Sequence, residues 1–226
     1  LLTTALVAPL AAPPAWAHTP PDILVVAQNI DDIVAIDPAQ AYEFTSGELV
    51  TNIYDRLVQY DAEDPTVLAA GLAESWEIDA EAKTITFNLR DGATFHSGNP
   101  VTGADVVYSL GRVIKLNLTP AFILVQLGWT PENVDEMVTA EGNTVTIRYD
   151  GDFSPAFVMN VLASRPASVV DMALVMANEV DGDMGNAWLN ENSAGSGPFS
   201  LQTYRPAELV RLAANENYFK GAPLVD

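Results

Sequence analysis

Two hydrophobic periods alternate along the chain. Ile23-Leu24-Val25-Val26-Ala27 is a short uninterrupted apolar run, the pattern of a strand buried on both faces. Asp37-Pro38 follows as a turn, because the residue before a proline is held extended. Thr45-Ser46-Gly47-Glu48 has the spacing of a capping box, and Leu49, Ile53 and Leu57 fall at i, i+4 and i+8 with Val50 and Tyr54 beside them. This predicts a helix with one face against a core, ended by Asp61-Ala62-Glu63-Asp64-Pro65.

From Thr84 to Arg90 the period changes to two, with Ile85, Phe87 and Leu89 on one face of a strand. Asp91-Gly92 and Ser97-Gly98-Asn99-Pro100 are turns. Thr102 and Asp105 have cap spacing and open a helix with Val106, Val107, Leu110, Val113 and Ile114 inward. Val134–Ala140 and Thr144–Tyr149, joined by Glu141-Gly142-Asn143, read as a hairpin. Ser154-Pro155 reads as an N-cap and first-turn proline for a helix through Leu162, and Val169–Ala177 as a further helix. Gly195-Ser196-Gly197-Pro198 turns into a strand, Phe199–Tyr204, and Arg205-Pro206 leads to another, Leu209–Ala213. The elements make a mixed α/β (α+β) chain with antiparallel hairpins rather than a repeating βαβ series. No internal repeat, low-complexity tract or Gly/Ser linker interrupts it.

Composition narrows the function. The 226 residues amount to one large domain or two small ones. Ten Lys and Arg against 30 Asp and Glu give a net charge of −20, which excludes the basic footprint of a nucleic-acid binder and disfavours docking on anionic lipid. With 49% hydrophobic and 18% charged residues the chain can bury a core. The absence of Cys excludes disulfides, thiolate metal sites, a Cys nucleophile and a lipidated N-terminal Cys.

Residues 1–17 carry no charge, and Ala15-Trp16-Ala17 has the small-x-small form of a signal-peptidase site. A buried N-terminal helix would not explain why this pattern coincides with the polar switch at His18-Thr19-Pro20. Residues 1–17 are therefore expected to be a signal-peptide remnant whose basic start precedes Leu1. Ala222–Asp226 is expected to enter a further extended segment. The mature protein is expected to diffuse in the periplasm of a double-membrane bacterium, without a lipid anchor.

Tests for chemistry are largely negative. A Ser-His-Asp triad would have to use His96, since His18 sits at the cleavage junction, and no Gly-x-Ser-x-Gly elbow accompanies it. His96 reads as a turn histidine bonded to backbone. Asp61-Ala62-Glu63-Asp64 and Asp181-Gly182-Asp183 lack calcium-loop order, and zinc has no ligand set. Gly195-Ser196-Gly197 lacks the Lys of a P-loop and the third Gly of a dinucleotide fingerprint. Trp76, Phe87, Phe95 and Tyr108 lie on patterned elements and are core candidates. Tyr42, Phe44 and Trp129 lie in polar or glycine-containing loops, where an aromatic either meets a ligand or tucks onto a satellite cluster. Asp31 to Asp79 holds twelve acids and one base, Arg56. It reads as a solvated acidic surface, with a field attracting cationic ligands as the sharper alternative.

Three blocks together resemble the large extracytoplasmic solute-binding proteins, family 5, of peptide and nickel ABC transporters. The first is Ile23–Ala27 with Ile36-Asp37-Pro38 and the helix Glu48–Val58 containing Asn52-Ile53-Tyr54-Asp55-Arg56-Leu57. The second runs from Leu72-Ala73-Glu74-Ser75-Trp76-Glu77-Ile78 through Thr84–Gly98 to Val101–Leu110. The third is Gly195-Ser196-Gly197-Pro198-Phe199 with Asn215-Glu216-Asn217-Tyr218-Phe219. Trp76, Phe87 and Leu89 would pack a small sheet, with Thr102 capping the helix behind it.

The resemblance implies a bilobal type II (Venus-flytrap) periplasmic-binding-protein fold. This chain would be its first lobe with an inserted subdomain, the second lobe being absent from the chain. It implies residues 18–44 and 182–226 as the lobe and 45–181 as the insert. It implies capture of a peptide-like or other small polar solute, delivery to the membrane permease of an ABC importer, no cofactor, no metal, no catalysis, no nucleic-acid partner and a monomer. The loop after Pro38 and the Gly-Ser-Gly-Pro-Phe turn would line the cleft, which points to Ala41, Tyr42, Glu43, Phe44, Ser196 and Phe199; the loop aromatic Trp129 joins them as a ligand candidate. A secreted hydrolase and a sensory or structural module on the same fold are the competing functions.

Overall fold

The computed structural model describes residues 19–61 and 63–225. The expected leader, residues 1–17, lies outside the described residues.

The first helix, α1, spans Phe44–Ile53. It starts earlier than its expected cap, with Glu43 as the extended residue before it. It also ends earlier than the apolar stripe suggests. Gly197 N donates to the Ile53 carbonyl at 2.9 Å, so a distant turn takes the acceptor that the next helical turn would need. Tyr54 is extended, and Leu57 leads instead into β1 (Val58–Tyr60), which pairs antiparallel with β2 (Leu68–Ala70).

A four-stranded antiparallel sheet follows. β3 is Ala73–Asp79, β4 is Thr84–Leu89, and the order is completed by β6 and then β5. Ile85, Phe87 and Leu89 turn inward as their alternation requires. Trp76 lies opposite Phe87 in register, their rings 6.3 Å apart.

α2 (Gly103–Leu116) covers this sheet with Val106, Leu110, Val113 and Ile114 buried. Its start matches the sequence reading: Asp105 Oδ2 accepts from Thr102 N at 2.9 Å and from Thr102 Oγ1 at 2.6 Å. The one-turn helices α3 (Ala121–Leu124) and α4 (Val134–Met137) follow. The expected strand from Val134 is thus helical for one turn first. Val134 N bonds to Thr130 O, and the Asn133 side chain bonds to Thr130 N, which closes the turn locally. β5 (Val138–Glu141) and β6 (Thr144–Arg148) then form the hairpin.

α5 (Pro155–Leu162) begins as read, with Ser154 Oγ accepting from Phe157 N and proline in the first turn. α6 (Met172–Ala177) starts three residues later than the apolar run. Val169 N is held by Asp55 O, and Asp171 caps Leu174 N at 3.0 Å. α7 (Asn186–Leu189) precedes the hairpin of β7 (Phe199–Arg205) and β8 (Leu209–Ala214).

Ile23–Ala27 is not a strand. Leu24, Val25 and Val26 are 68%, 69% and 62% exposed, and among the described residues no strand pairs with them. Its all-apolar pattern reads as a two-sided strand, but such a strand needs neighbours to supply its hydrogen bonds.

The buried apolar side chains form two clusters. One core gathers the four-stranded sheet, α2 and α5, running from Leu57 to Val169 with Ala39 added. The other gathers Ala41, Val50, Ile53, Tyr54, Val170, Val175, Leu189 and Ala194. α1 and α6 contribute side chains to this second core, while α1 also meets the Arg165–Ala167 turn and α6 also meets α2.

Candidate functional site

Three surface recesses are well formed among the described residues. One of about 720 Å³ lies over α2 and β5. A second of about 530 Å³ lies between the 24–33 segment, α1 and β8. The third, about 430 Å³, is lined by Ala41, Tyr42, Thr51, Arg56, Tyr60, Ile123, Arg165 and Pro166, among others. It collects two residues singled out from sequence, Ala41 and Tyr42, together with two guanidinium groups.

The loop after Pro38 builds one wall. Ala39 N bonds to Asp37 Oδ1 at 2.9 Å, and Ala41 N bonds to Asp37 O at 2.7 Å, so the turn stays tight. Asp37 is itself held by a buried ion pair, with Arg112 Nη1 donating at 2.8 Å. Burial opposes the charge of Arg112, but the hydrogen bonds and charge of Asp37 outweigh it and raise the guanidinium's pKa. This pair anchors α2 to the loop that carries Tyr42.

Tyr42 is 51% exposed and meets Phe122 edge-on at 5.7 Å. Across the recess, Tyr60 OH donates to Asn160 Oδ1 at 2.8 Å. Arg56 is only 7% exposed, and its Nε is buried without an acceptor. Its neighbour Asp55 is occupied elsewhere: Ser196 Oγ and Tyr218 OH each donate to its carboxylate at 2.9 Å. Burial raises the Asp55 pKa against those hydrogen bonds. Burial lowers that of Arg56, Asp55 offsets part of this, and the charge of Arg165 lowers it further. Arg165 lies against α1, where a Cβ on Gly47 would overlap its guanidinium.

The other residues singled out from sequence are dispersed. Phe44, 89% exposed, opens α1. Glu43 Oε2 turns back to Tyr42 N at 3.3 Å and Ser46 Oγ at 3.4 Å. Phe199 lines the recess beside the 24–33 segment. Ser196 is fully buried on Asp55. Trp129 must be withdrawn as a ligand residue: it is 1% exposed, packed in the larger core, with Nε1 donating to Arg148 O at 2.8 Å. Its loop is a short turn folded onto the sheet, so the indole replaces a core side chain.

Sequence reasoning missed Arg56 and Arg165. The available signal was weak, a lone base in an acidic stretch and an Arg-Pro dipeptide, since only the fold brings them to one recess.

His96 does what a turn histidine does. Nε2 donates to Gly197 O at 2.9 Å, and its backbone N to Gly195 O at 2.9 Å. Burial lowers its pKa, with the Gly197 bond and Asp55 opposing. Ser97, the adjacent hydroxyl, is bonded to Asp171, and among the described residues no nucleophile is paired with the imidazole. Among the described residues no cluster of His, Asp and Glu could hold a metal.

The three sequence blocks converge here. Gly197 O also accepts from Asn215 Nδ2 at 3.1 Å, Tyr218 bonds to Asp55, and Arg90 lies 4.7 Å over the Phe219 ring. The motifs staple the fold together rather than supply chemistry.

Comparison with known proteins places these features in context. Residues 67–226 match the model for bacterial extracellular solute-binding proteins, family 5, middle region. The chain is 30% identical over 209 residues to the probable D,D-dipeptide-binding periplasmic protein DdpA of Escherichia coli K12, covering 91% of this chain and 38% of that protein. It is 28% identical to the dipeptide-binding protein of the same organism, covering 81% and 36% respectively. Among solved structures, MoaA of A. tumefaciens R10 in complex with mannopinic acid is 26% identical with a TM-score of 0.71, over 86% of this chain and 37% of that one. The E. coli murein tripeptide-binding protein MppA is 24% identical with a TM-score of 0.68, over 82% and 37%. The chain spans little more than a third of the length of these relatives.

Proposed function

The chain belongs to the family 5 bacterial extracellular solute-binding proteins, and from that premise we propose that it forms part of the solute-capturing component of an ABC importer. Its fold is that of the type II periplasmic binding proteins. The protein works in the periplasm, takes up a peptide-like or other small polar solute, and presents it to a membrane permease. Capture proceeds by closure of a second lobe over the face that carries Ala41, Tyr42, Glu43 and Phe44. The solute stabilises the closed form by its greater affinity for it. Ser196 serves that face indirectly, by fixing Asp55.

The continuous family match from residue 67 to 226 carries this reading. Relatives named for dipeptides, and a structural neighbour holding mannopinic acid, support a small polar cargo. The inserted unit, 45–181 by the family resemblance, has the larger core, residues 57–169 with Ala39 added, at its centre.

Native mass spectrometry of the intact protein purified from periplasm tests the proposal. One equivalent of a small molecule should be released on denaturation. Absence of any bound molecule, together with hydrolysis of esters or peptides that His96→Ala abolishes, would replace transport with catalysis.

A further inference from the structure

Resting on the solute-binding reading, we propose that the recess bounded by Tyr42 and Tyr60 is a carboxylate subsite, in which one carboxylate of the solute is held between the guanidiniums of Arg56 and Arg165. Arg112, 2% exposed, is satisfied by Asp37 and by the Met184 carbonyl. Arg56, 7% exposed, makes no side-chain hydrogen bond or ion pair among the described residues, and neither does Arg165. A buried cation ordinarily has an anion beside it, because desolvating an unpaired charge is costly. Here two cations face one recess, in a chain where acids outnumber bases 30 to 10. No carboxylate is among the residues lining the recess. Asp55, next in sequence, spends its oxygens on Ser196 and Tyr218.

The shape favours an organic acid over a bare ion. At about 430 Å³ the recess has the size of a small-molecule site. Its walls include Tyr42, Tyr60, Ile123 and Pro166, which would cover the apolar body of a solute. Such walls lower the local dielectric and strengthen a charge-assisted pair. The planar fork of arginine matches a carboxylate. Gly47 is a positioning residue: only a residue without Cβ lets the Arg165 guanidinium lie against α1.

The test uses the intact protein, labelled with ¹⁵N-arginine and titrated with sodium acetate against sodium chloride at equal ionic strength. The Nε–Hε signals of Arg56 and Arg165 should move saturably with acetate and not with chloride. Gly47→Ala should retain a cooperative thermal transition, since the displaced atoms are the far end of a flexible side chain, yet weaken acetate binding about tenfold or more, as loss of a charge-assisted hydrogen bond does. Arg165→Gln should do the same. Equal responses to both salts, no response to acetate, or an unaltered response in Gly47→Ala would overturn the subsite. If the molecule captured in the periplasm has no acidic group, the subsite fails while solute binding stands. If acetate binds as described but nothing is captured, the subsite stands and the transport reading fails.

Discussion

His96 shows how a residue with catalytic potential is used as structure. Its Nε2 is committed to Gly197 O, and its Nδ1 is buried without a partner. A protonated imidazole would have to place a second N–H where nothing accepts it, which agrees with the lowered pKa caused first by burial. A histidine whose folded pKa lies below its unfolded value of about 6.5 adds stability that is whole above that pH. That stability is lost as the pH falls through the folded value. Thermal melts of wild type and His96→Gln across pH 5 to 8 (~, bracketing the free-histidine pKa) should show the wild type's advantage at the upper end shrinking on acidification. A gap that stays constant, or widens towards acid, would contradict this. The sequence alone exposed the structural role of His96, because a turn beside a strand offers backbone acceptors and no paired nucleophile. It could not expose Arg56: that this buried cation has no hydrogen-bonding partner among the described residues is visible only once the fold commits its neighbour Asp55 to Ser196 and Tyr218.

At the scale of elements, local rules succeeded where a cap or a period decides the outcome. Thr102 with Asp105, Ser154 with Pro155, and the alternation of Ile85, Phe87 and Leu89 all produce the elements they specify. They failed where a distant segment competes for the same backbone group. α1 stops at Ile53 because Gly197 takes its carbonyl, and no pattern within residues 44–58 contains that information. Glycine at 197 is required by this close approach, since a Cβ there would press on the backbone of Asn52 and Ile53. Gly197→Ala should therefore cost about 2 kcal/mol in denaturant unfolding, through overpacking and a strained hydrogen bond. Gly111→Ala makes the internal comparison. Its Cβ would meet only Asp135 Oδ1, at 3.7 Å, inside α2, so helix propensity should add up to about 1 kcal/mol. Equal effects at the two sites would mean that the close approach does not constrain the fold.

At the scale of the whole molecule, the resemblance of three blocks was legible because they are the staple joining β4, α1 and the β7 turn: Asp55, His96, Gly197, Asn215 and Tyr218 meet at one place. What such motifs report is the fold. They do not report the side chains of the loop after Pro38, so Tyr42 and Phe44 are legible only as members of that loop, and the burial of Trp129 is visible only in the fold. The chain spans 38% of its E. coli relative.

The central claim is that the intact protein grips a solute without transforming it, and calorimetry with the solute released from the purified protein tests it most directly. Titration into the ligand-free protein should give heat that ends at one equivalent, with the solute recovered at its original mass. Heat that continues beyond one equivalent, accompanied by a product of different mass, would show turnover and contradict the account.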